Sequence, residues 1–360
     1  MSRDHQRPTR PQPKPSLLRR LVAVGVLLAL AAGWFVPTGW LVVAPGETLR
    51  LLAQVDVPPS SGTGATPSPP PHGSLGDVLL LTVEARPANV YLAAATALGL
   101  LGPRMLLRRS QVIPPGLDGD EYIRLSREQM AESIGLGSVL GLRAAGLAAW
   151  AHGGGARVVS VYGGGSGRTP VLAPGDLITG VDGEPVQLQG DLGILLRGRY
   201  PGEAVTLAVQ RGGVALDLRA VLGAAPAGAE ELMLGATLVT ESPQFELPIP
   251  ITVDTEGIVG PSGGLAIALA VHQAVSSEDL LHGRLIAASG YVRADGSVGP
   301  VGGAGLKALA AERAGVAVLF VAEANADEAK LASPGLAVVG VTHFDEVVAF
   351  LRSASLTLEK

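Results

Sequence analysis

Gly260-Pro261-Ser262-Gly263-Gly264, with the apolar run Leu265-Ala266-Ile267-Ala268-Leu269-Ala270-Val271 directly behind it, is the stretch on which the reading of this 360-residue chain turns. The spacing predicts a helix over 263–275, and around it the hydrophobic pattern alternates between short β-branched runs and helical periods. Strands are expected over 247–253, 285–292, 316–322 and 337–341, with further helices over 306–314 and 343–351, which makes the C-terminal part an α/β unit. Ser262 stands at the mouth of the first helix, where amides without helical acceptors favour a developing oxyanion. A serine hydroxyl is a weak nucleophile until a base takes its proton, and Lys307 in Gly302-Gly303-Ala304-Gly305-Leu306-Lys307 is the candidate. That lysine serves as a base only if desolvation lowers its pKa, and Leu306, Leu309 and Ala310 supply apolar neighbours. Taken singly, Ser262 reads as a helix cap and Lys307 as a surface lysine; their joint order and flanking glycines carry the functional reading.

Composition narrows the field. There is no cysteine, which excludes disulfides, thiol catalysis and Cys-based zinc sites, and a net charge of −5 offers no basic footprint for nucleic acid. No cofactor or metal is expected. Gly163–Thr169 (GGGSGRT) superficially matches a phosphate-binding loop, but Tyr162 and Arg168 stand where its first Gly and its Lys belong, so no ATP site is predicted.

At the N-terminus, residues 21–43 (LVAVGVLLALAAGWFVPTGWLVV) are long enough to cross a membrane, with Trp34, Phe35 and Trp40 at belt positions. Arg3, Arg7, Arg10, Lys14, Arg19 and Arg20 against Asp4 put the 1–20 tail in the cytoplasm, and hence the rest of the chain outside the cell membrane. A cleaved signal peptide is the alternative, and it also exports the remainder. Residues 44–150 form an N-terminal extracytoplasmic region with a Pro-rich, unstructured loop over 57–72. Within it, strands are expected over 40–55 and 78–83, and a helix over 120–150 with a capping box at Ser126 and Gln129.

Residues 151–225 are rich in short strands. Leu172–Val186 (LAPGDLITGVDGEPV) puts a tight turn at Pro174-Gly175, a strand, then a hairpin at Asp182-Gly183. This phrase resembles the signature of PDZ domains. The resemblance implies a module that adds an extended peptide to a sheet edge, with Gly153, Gly154, Gly155 and Ala156 as the loop holding the terminal carboxylate.

Thr252–Gly264 (TVDTEGIVGPSGG), Ala288-Ser289-Gly290 and Asp295–Lys307 (DGSVGPVGGAGLK) in turn resemble the Lon peptidase domain, over 226–355. The whole order is similar to membrane-anchored PDZ and Lon-like peptidases that lack the ATPase module. That resemblance implies an α/β (α+β) peptidase domain plus a β-rich PDZ domain, preceded by one N-terminal transmembrane helix. It implies Ser262 as nucleophile, Lys307 as base, Ser289 in place of the family's lysine-orienting threonine, and Gly263 in support. It further implies protein or peptide substrates and a homo-oligomeric, hexameric ring. Val259 departs from the pattern, since many ATP-dependent relatives carry Asp there. Two other readings remain open: a non-catalytic PDZ scaffold with a decayed peptidase domain, and an α/β-hydrolase-type esterase, because Gly260–Gly264 also fits G-x-S-x-G and His343 follows it.

Overall fold

The computed structural model describes residues 24–25, 31–58, 76–162, 171–225 and 228–358. Along the chain, β1 (Pro37–Arg50), β2 (Val55–Asp56) and β3 (Asp77–Asn89) lead into α1 (Val90–Ala97), β4 (Met105–Arg108) and the long α2 (Gly119–Ala144). A β-rich stretch follows: β5 (Trp150–His152), β6 (Ala156–Val161), β7 (Leu177–Val181), β8 (Glu184–Pro185), the short α3 (Gln189–Leu195), β9 (Ala204–Arg211), β10 (Val214–Val221), β11 (Ala236–Thr240) and β12 (Gln244–Glu246). The last part runs β13 (Thr252–Val253), α4 (Gly264–Val275), β14 (Leu285–Ser289), β15 (Tyr291–Val292), β16 (Val298–Gly299), α5 (Ala304–Arg313), β17 (Val318–Ala322), α6 (Ala326–Ala332), β18 (Val338–Val341) and α7 (Phe344–Leu358).

The chain forms two compact units, one of residues 1–42 with 85–109 and one of 43–84 with 110–360. In the smaller unit Asn89 accepts the Leu92 N–H (2.8 Å) and so caps α1. Trp34 packs on Tyr91 with ring centroids 6.2 Å apart. Residues 21–23 and 26–30 of the run expected to cross a membrane lie outside the described residues, as does the 1–20 tail. Helix is present over 31–35, but from Pro37 the chain is a strand, which shortens the expected 21–43 helix; Pro37 cannot continue a helix and Val42 and Val43 favour a pleated surface. Among the described residues no helix is long and apolar enough to cross a membrane.

In the larger unit a sheet ordered β18-β17-β14-β3-β1 has parallel pairs β18/β17, β17/β14 and β14/β3. Parallel neighbours need crossovers, and α5 and α6 provide them. Strand periodicity then sorts the side chains. Val78, Leu80, Ile286, Ala288 and Phe320 enter one core with α2, α4 and α7, whereas Leu79, Leu81, Ala287, Leu319 and Val321 enter a second with Ala308 and Ala311 of α5 and Ala326 and Ala329 of α6. The sheet is therefore covered on both faces. Residues 44–150 are correspondingly not a separate region: β3 pairs with β14, and α2 packs along α4. Nothing local marks this, because the pairing spans a long sequence separation.

A second sheet, ordered β10-β9-β7-β6-β11, encloses its own core of Val158, Ile178, Leu192, Leu207 and Leu238. The expected turns are present, with Gly175 at φ +89°, Asp182 at +49° and Gly183 at +91°. β11, beyond the expected boundary at 225, also joins this sheet by pairing with β6. Of the predicted strand over 247–253 only Thr252–Val253, β13, is strand, since Pro248 and Pro250 interrupt a ladder. The capping box of α2 is Asp118 with Glu121, not Ser126 with Gln129. Ser126 lies buried inside the helix. The expected loops over 57–72 and 163–169 fall almost wholly outside the described residues.

Glycines let α2 approach α4. A Cβ on Gly141 would sit 2.6 Å from the Ala268 carbonyl oxygen and 2.9 Å from the His272 nitrogen, both backbone atoms. In an exposed helix Gly→Ala gains about 1 kcal/mol. Here Gly141→Ala is expected to cost about 1–3 kcal/mol through overpacking, read as a lowered thermal or denaturant midpoint; an unchanged or raised midpoint would refute the close contact.

Candidate active site

The site assembles at the C-terminal end of β14, where elements from both faces of the sheet meet, as ligand crevices of parallel sheets do. Period two sends Ser289 to the α5 side of the sheet, opposite to Ala288. On α5, Gly303 at φ +71° turns the chain into the helix and its carbonyl accepts the Lys307 N–H (3.0 Å). Lys307 thereby points its amine at β14, and Nζ donates to Ser289 Oγ at 3.0 Å. Both residues are almost sealed, with Lys307 2% and Ser289 1% exposed.

Ser262 arrives from the other face. It sits in the 3-10 turn Pro261–Gly263 that opens α4, after Gly260 at φ +101°. Gly290 N–H donates to the Ser262 carbonyl (3.0 Å) and Leu265 N–H to the Gly290 carbonyl (3.2 Å). The dipeptide Ser289-Gly290 thus binds both residues, Lys307 through the Ser289 hydroxyl and the Ser262 carbonyl through the Gly290 amide. Gly263 is small of necessity, because a Cβ there would lie 2.9 Å from Leu80 Cδ1.

Burial sets the chemistry of the amine. Desolvation pulls Lys307 down from its ordinary value of 10.5 to about 8, against a weaker upward pull from Glu328. Glu328 is occupied in turn by the Gly305 N–H (2.9 Å). A buried amine near this value is substantially neutral just above physiological pH and accepts protons there.

Several site residues escaped the sequence reading. Helix α2 clamps the serine turn from outside: Ser126 carbonyl accepts the Gly260 N–H (2.9 Å) and Ser133 Oγ donates to the Pro261 carbonyl (3.0 Å). Beside Ser133, Glu132 is buried and its carboxyl is pushed up to about 7 by desolvation, despite the hydrogen bond from Thr240. Arg293, 1% exposed, donates to Glu231 (2.8 Å) and to the Gly228 carbonyl (2.6 Å). A run of polar residues on a buried helix face, Ser126, Glu132, Ser133 and Ser138, was the available signal.

Two expectations fare differently. His343 bonds the Asp295 carbonyl (2.7 Å) and faces Asp345 (3.4 Å), so its partners are those of a helix start rather than Ser262. Its helix opens with Thr342 bonded to Glu346. In the glycine loop proposed to hold a carboxylate, Gly154 N–H donates to Glu241 carbonyl (2.7 Å), Gly155 N–H to Gln187 carbonyl (2.9 Å), and Ala156 pairs with Thr240 and Ile178. Gly153 abuts Thr240, with a Cβ placed 2.6 Å from its methyl. Amides committed to carbonyls are not available to a ligand.

The lowered pKa of Lys307 has a stability consequence. Between about 8 and 10.5 the unfolded chain keeps the proton that the folded chain has shed, so stability rises with pH across that window and the burial penalty is fully present below it. Lys307→Met should therefore raise stability at pH 7, by an amount on the order of 3 kcal/mol, and the gain should vanish near pH 10.5. Denaturant titrations at the two pH values check this; a gain independent of pH would show that the lysine is not desolvated.

Residues 137–222 match the family profile of the PDZ domain and residues 250–352 that of the Lon protease (S16) C-terminal proteolytic domain. Among solved structures, the PDZ domain of the SdrC-like protein from Listeria monocytogenes aligns at 25% identity over 24% of this chain and 87% of that one, with a TM-score of 0.20. Its counterpart from Listeria innocua aligns at 20% identity over 24% and 93%, also at 0.20. A search of curated proteins found no match. The chain therefore carries a β-rich PDZ domain followed by the α/β proteolytic domain of a Lon-type serine peptidase.

Proposed function

We propose that this protein is an ATP-independent endopeptidase in which Ser262 is the nucleophile, Lys307 the general base and Ser289 the group that orients the lysine. The observation that carries the proposal is the buried Lys307 Nζ to Ser289 Oγ bond at 3.0 Å, next to the Gly290 amide that holds Ser262. Neutral Lys307 takes the Ser262 proton as Oγ attacks the scissile carbonyl. Backbone amides at the mouth of α4, apart from that of Leu265 which is bonded to Gly290, face the resulting oxyanion, collapse expels the peptide amine with the proton from Lys307, and water then hydrolyses the ester by the reverse transfers. With an amine of pKa about 8, roughly a tenth is neutral at pH 7.

Substrate would reach this site through the PDZ domain, by strand addition to a sheet edge. β6 is flanked by β7 and β11, so the edges on offer are β10 and β11 at the two ends of the sheet. The apolar residues that precede β1, behind a basic tail, are the feature in favour of a membrane-tethered protein whose catalytic part is extracytoplasmic, acting as a homo-oligomeric ring on exported or membrane-associated proteins.

Ser262→Ala and Lys307→Ala should each lower cleavage of an unfolded protein such as casein at least a thousandfold, and both should abolish labelling by a fluorophosphonate probe. In the wild type kcat/KM should rise with pH to a plateau, with a midpoint near 8. Labelling that survives Lys307→Ala would sink the dyad and favour an esterase-type site.

A further inference from the structure

One buried polar chain connects α3 of the PDZ domain to both sides of Ser262. Thr240, the last residue of β11, accepts the backbone N–H of Gln189, the first residue of α3, at 2.9 Å and donates to Glu132 Oε1 at 2.5 Å. The three residues are 6%, 9% and 5% exposed respectively. The neighbour of Glu132 on α2, Ser133, holds the Pro261 carbonyl at 3.0 Å. From the same Gln189, the side-chain Nε2 reaches Tyr291 Oη at 3.2 Å. Tyr291 follows Gly290, whose N–H holds the Ser262 carbonyl. The serine turn is thus held by two consecutive carbonyls, and each holder leads back to Gln189.

The seat under α3 leaves it little room to shift. A Cβ on Gly190 would lie 3.0 Å from Tyr291 Oη, and one on Gly193 would lie 2.5 Å from Glu231 Oε2 and 2.6 Å from Arg293 Nε. Arg293 also stacks over Tyr291, 5.3 Å from its ring centroid. On its other side α3 lines an open groove with Pro185, Gln187, Asp191, Ile194 and Leu195. The start of the helix that faces this groove is therefore part of the frame of the serine turn.

We propose that Thr240 is a positioning residue that ties α3 of the PDZ domain to the serine turn, so that the alignment of Ser262 depends on how α3 is seated. This inference rests on Ser262 being the nucleophile. Loss of the tie should affect the chemical step rather than substrate affinity, because none of Gln189, Thr240 and Glu132 needs to touch the substrate. A misplacement of the order of 1 Å at a reacting group costs about a hundredfold in rate. The loss expected here is smaller, since the Tyr291 leg remains.

The test compares full-length wild type with Thr240→Val, which keeps the shape and removes the hydroxyl, and Thr240→Ser, which restores it. Thr240→Val should slow both fluorophosphonate labelling of Ser262 and kcat on casein about tenfold, with KM within twofold, and should speed amide hydrogen exchange over residues 259–264. Thr240→Ser should return all three toward wild type. If Thr240→Val does not fold, Glu132→Met, which removes the acceptor of the Thr240 hydroxyl, carries the same comparison with Glu132→Gln as its restoring partner, and the same direction is expected. The proposal is overturned if exchange over 259–264 and the labelling rate are unchanged, if the loss lies in KM alone, or if serine does not rescue. Should wild type neither label nor cleave, the nucleophile assignment fails, and the exchange comparison still decides whether the tie exists.

Discussion

The desolvation of one amine governs the architecture around the site. Lys307 lies in a layer of small apolar side chains, Ala304, Ala308 and Ala311 on α5 against Leu79, Leu81 and Ala287 on the sheet, which brings the helix close to β14. An ammonium has no counterpart to hydration there, so the neutral form gains, and the one hydrogen bond shown for Nζ goes to Ser289. The cost of burying this group is borne by a sheet covered on both faces. A sheet open on the α5 side would leave the lysine solvated near its ordinary pKa, and the same two residues would then have no chemistry to share.

How much of this was legible in the sequence depends on the range of the interaction. The alternation of 285–292, 306–314 and 316–322 was readable because period two and period 3.6 are local, and the structure places β14, α5 and β17 there. The proximity of Lys307 to Ser289 follows from the same local geometry, once β14 and α5 are known to be neighbours. What failed was non-local. That β3 joins β14, or that Ser133 reaches Pro261 across the fold, depends on pairings no window contains. For the amides of Gly154 and Gly155 the reason is related. A backbone amide is a ligand site only if nothing else takes it, and its takers, Glu241 and Gln187, come from remote segments. Even Ser126 misled locally: its partner Gln129 has the right spacing, but Asp118 with Glu121 stands a turn or more earlier and starts the helix first.

Charge burial recurs at Arg293, with the opposite solution. Lys307 sheds its charge above about pH 8, whereas a guanidinium stays protonated and must be compensated. Glu231, the Gly228 carbonyl and the face of Tyr291 do this, and the Glu231 charge helps hold Arg293 above its ordinary pKa although burial pulls the other way. Compensation of this kind demands fixed geometry. Gly190 and Gly193 supply it by letting α3 close down on the arginine until no side chain would fit. A permanent cation beneath α3 and an amine of lowered pKa beside β14 are then two outcomes of one constraint, the burial of both groups.

That constraint also explains why β11 matters more than its five residues suggest. By hydrogen bonding it is the terminal strand of the PDZ sheet; by sequence it leads within a few residues into the peptidase domain. Its final hydroxyl is buried where three polar groups need partners: the Gln189 amide, the Glu132 carboxyl and its own oxygen. One hydroxyl satisfies all three because it accepts from the first and donates to the second. No apolar residue of that shape could do so, since it would strand a buried amide and a buried carboxyl together. The junction therefore specifies one seating of α3 over others that would pack about as well, and the serine turn inherits that choice.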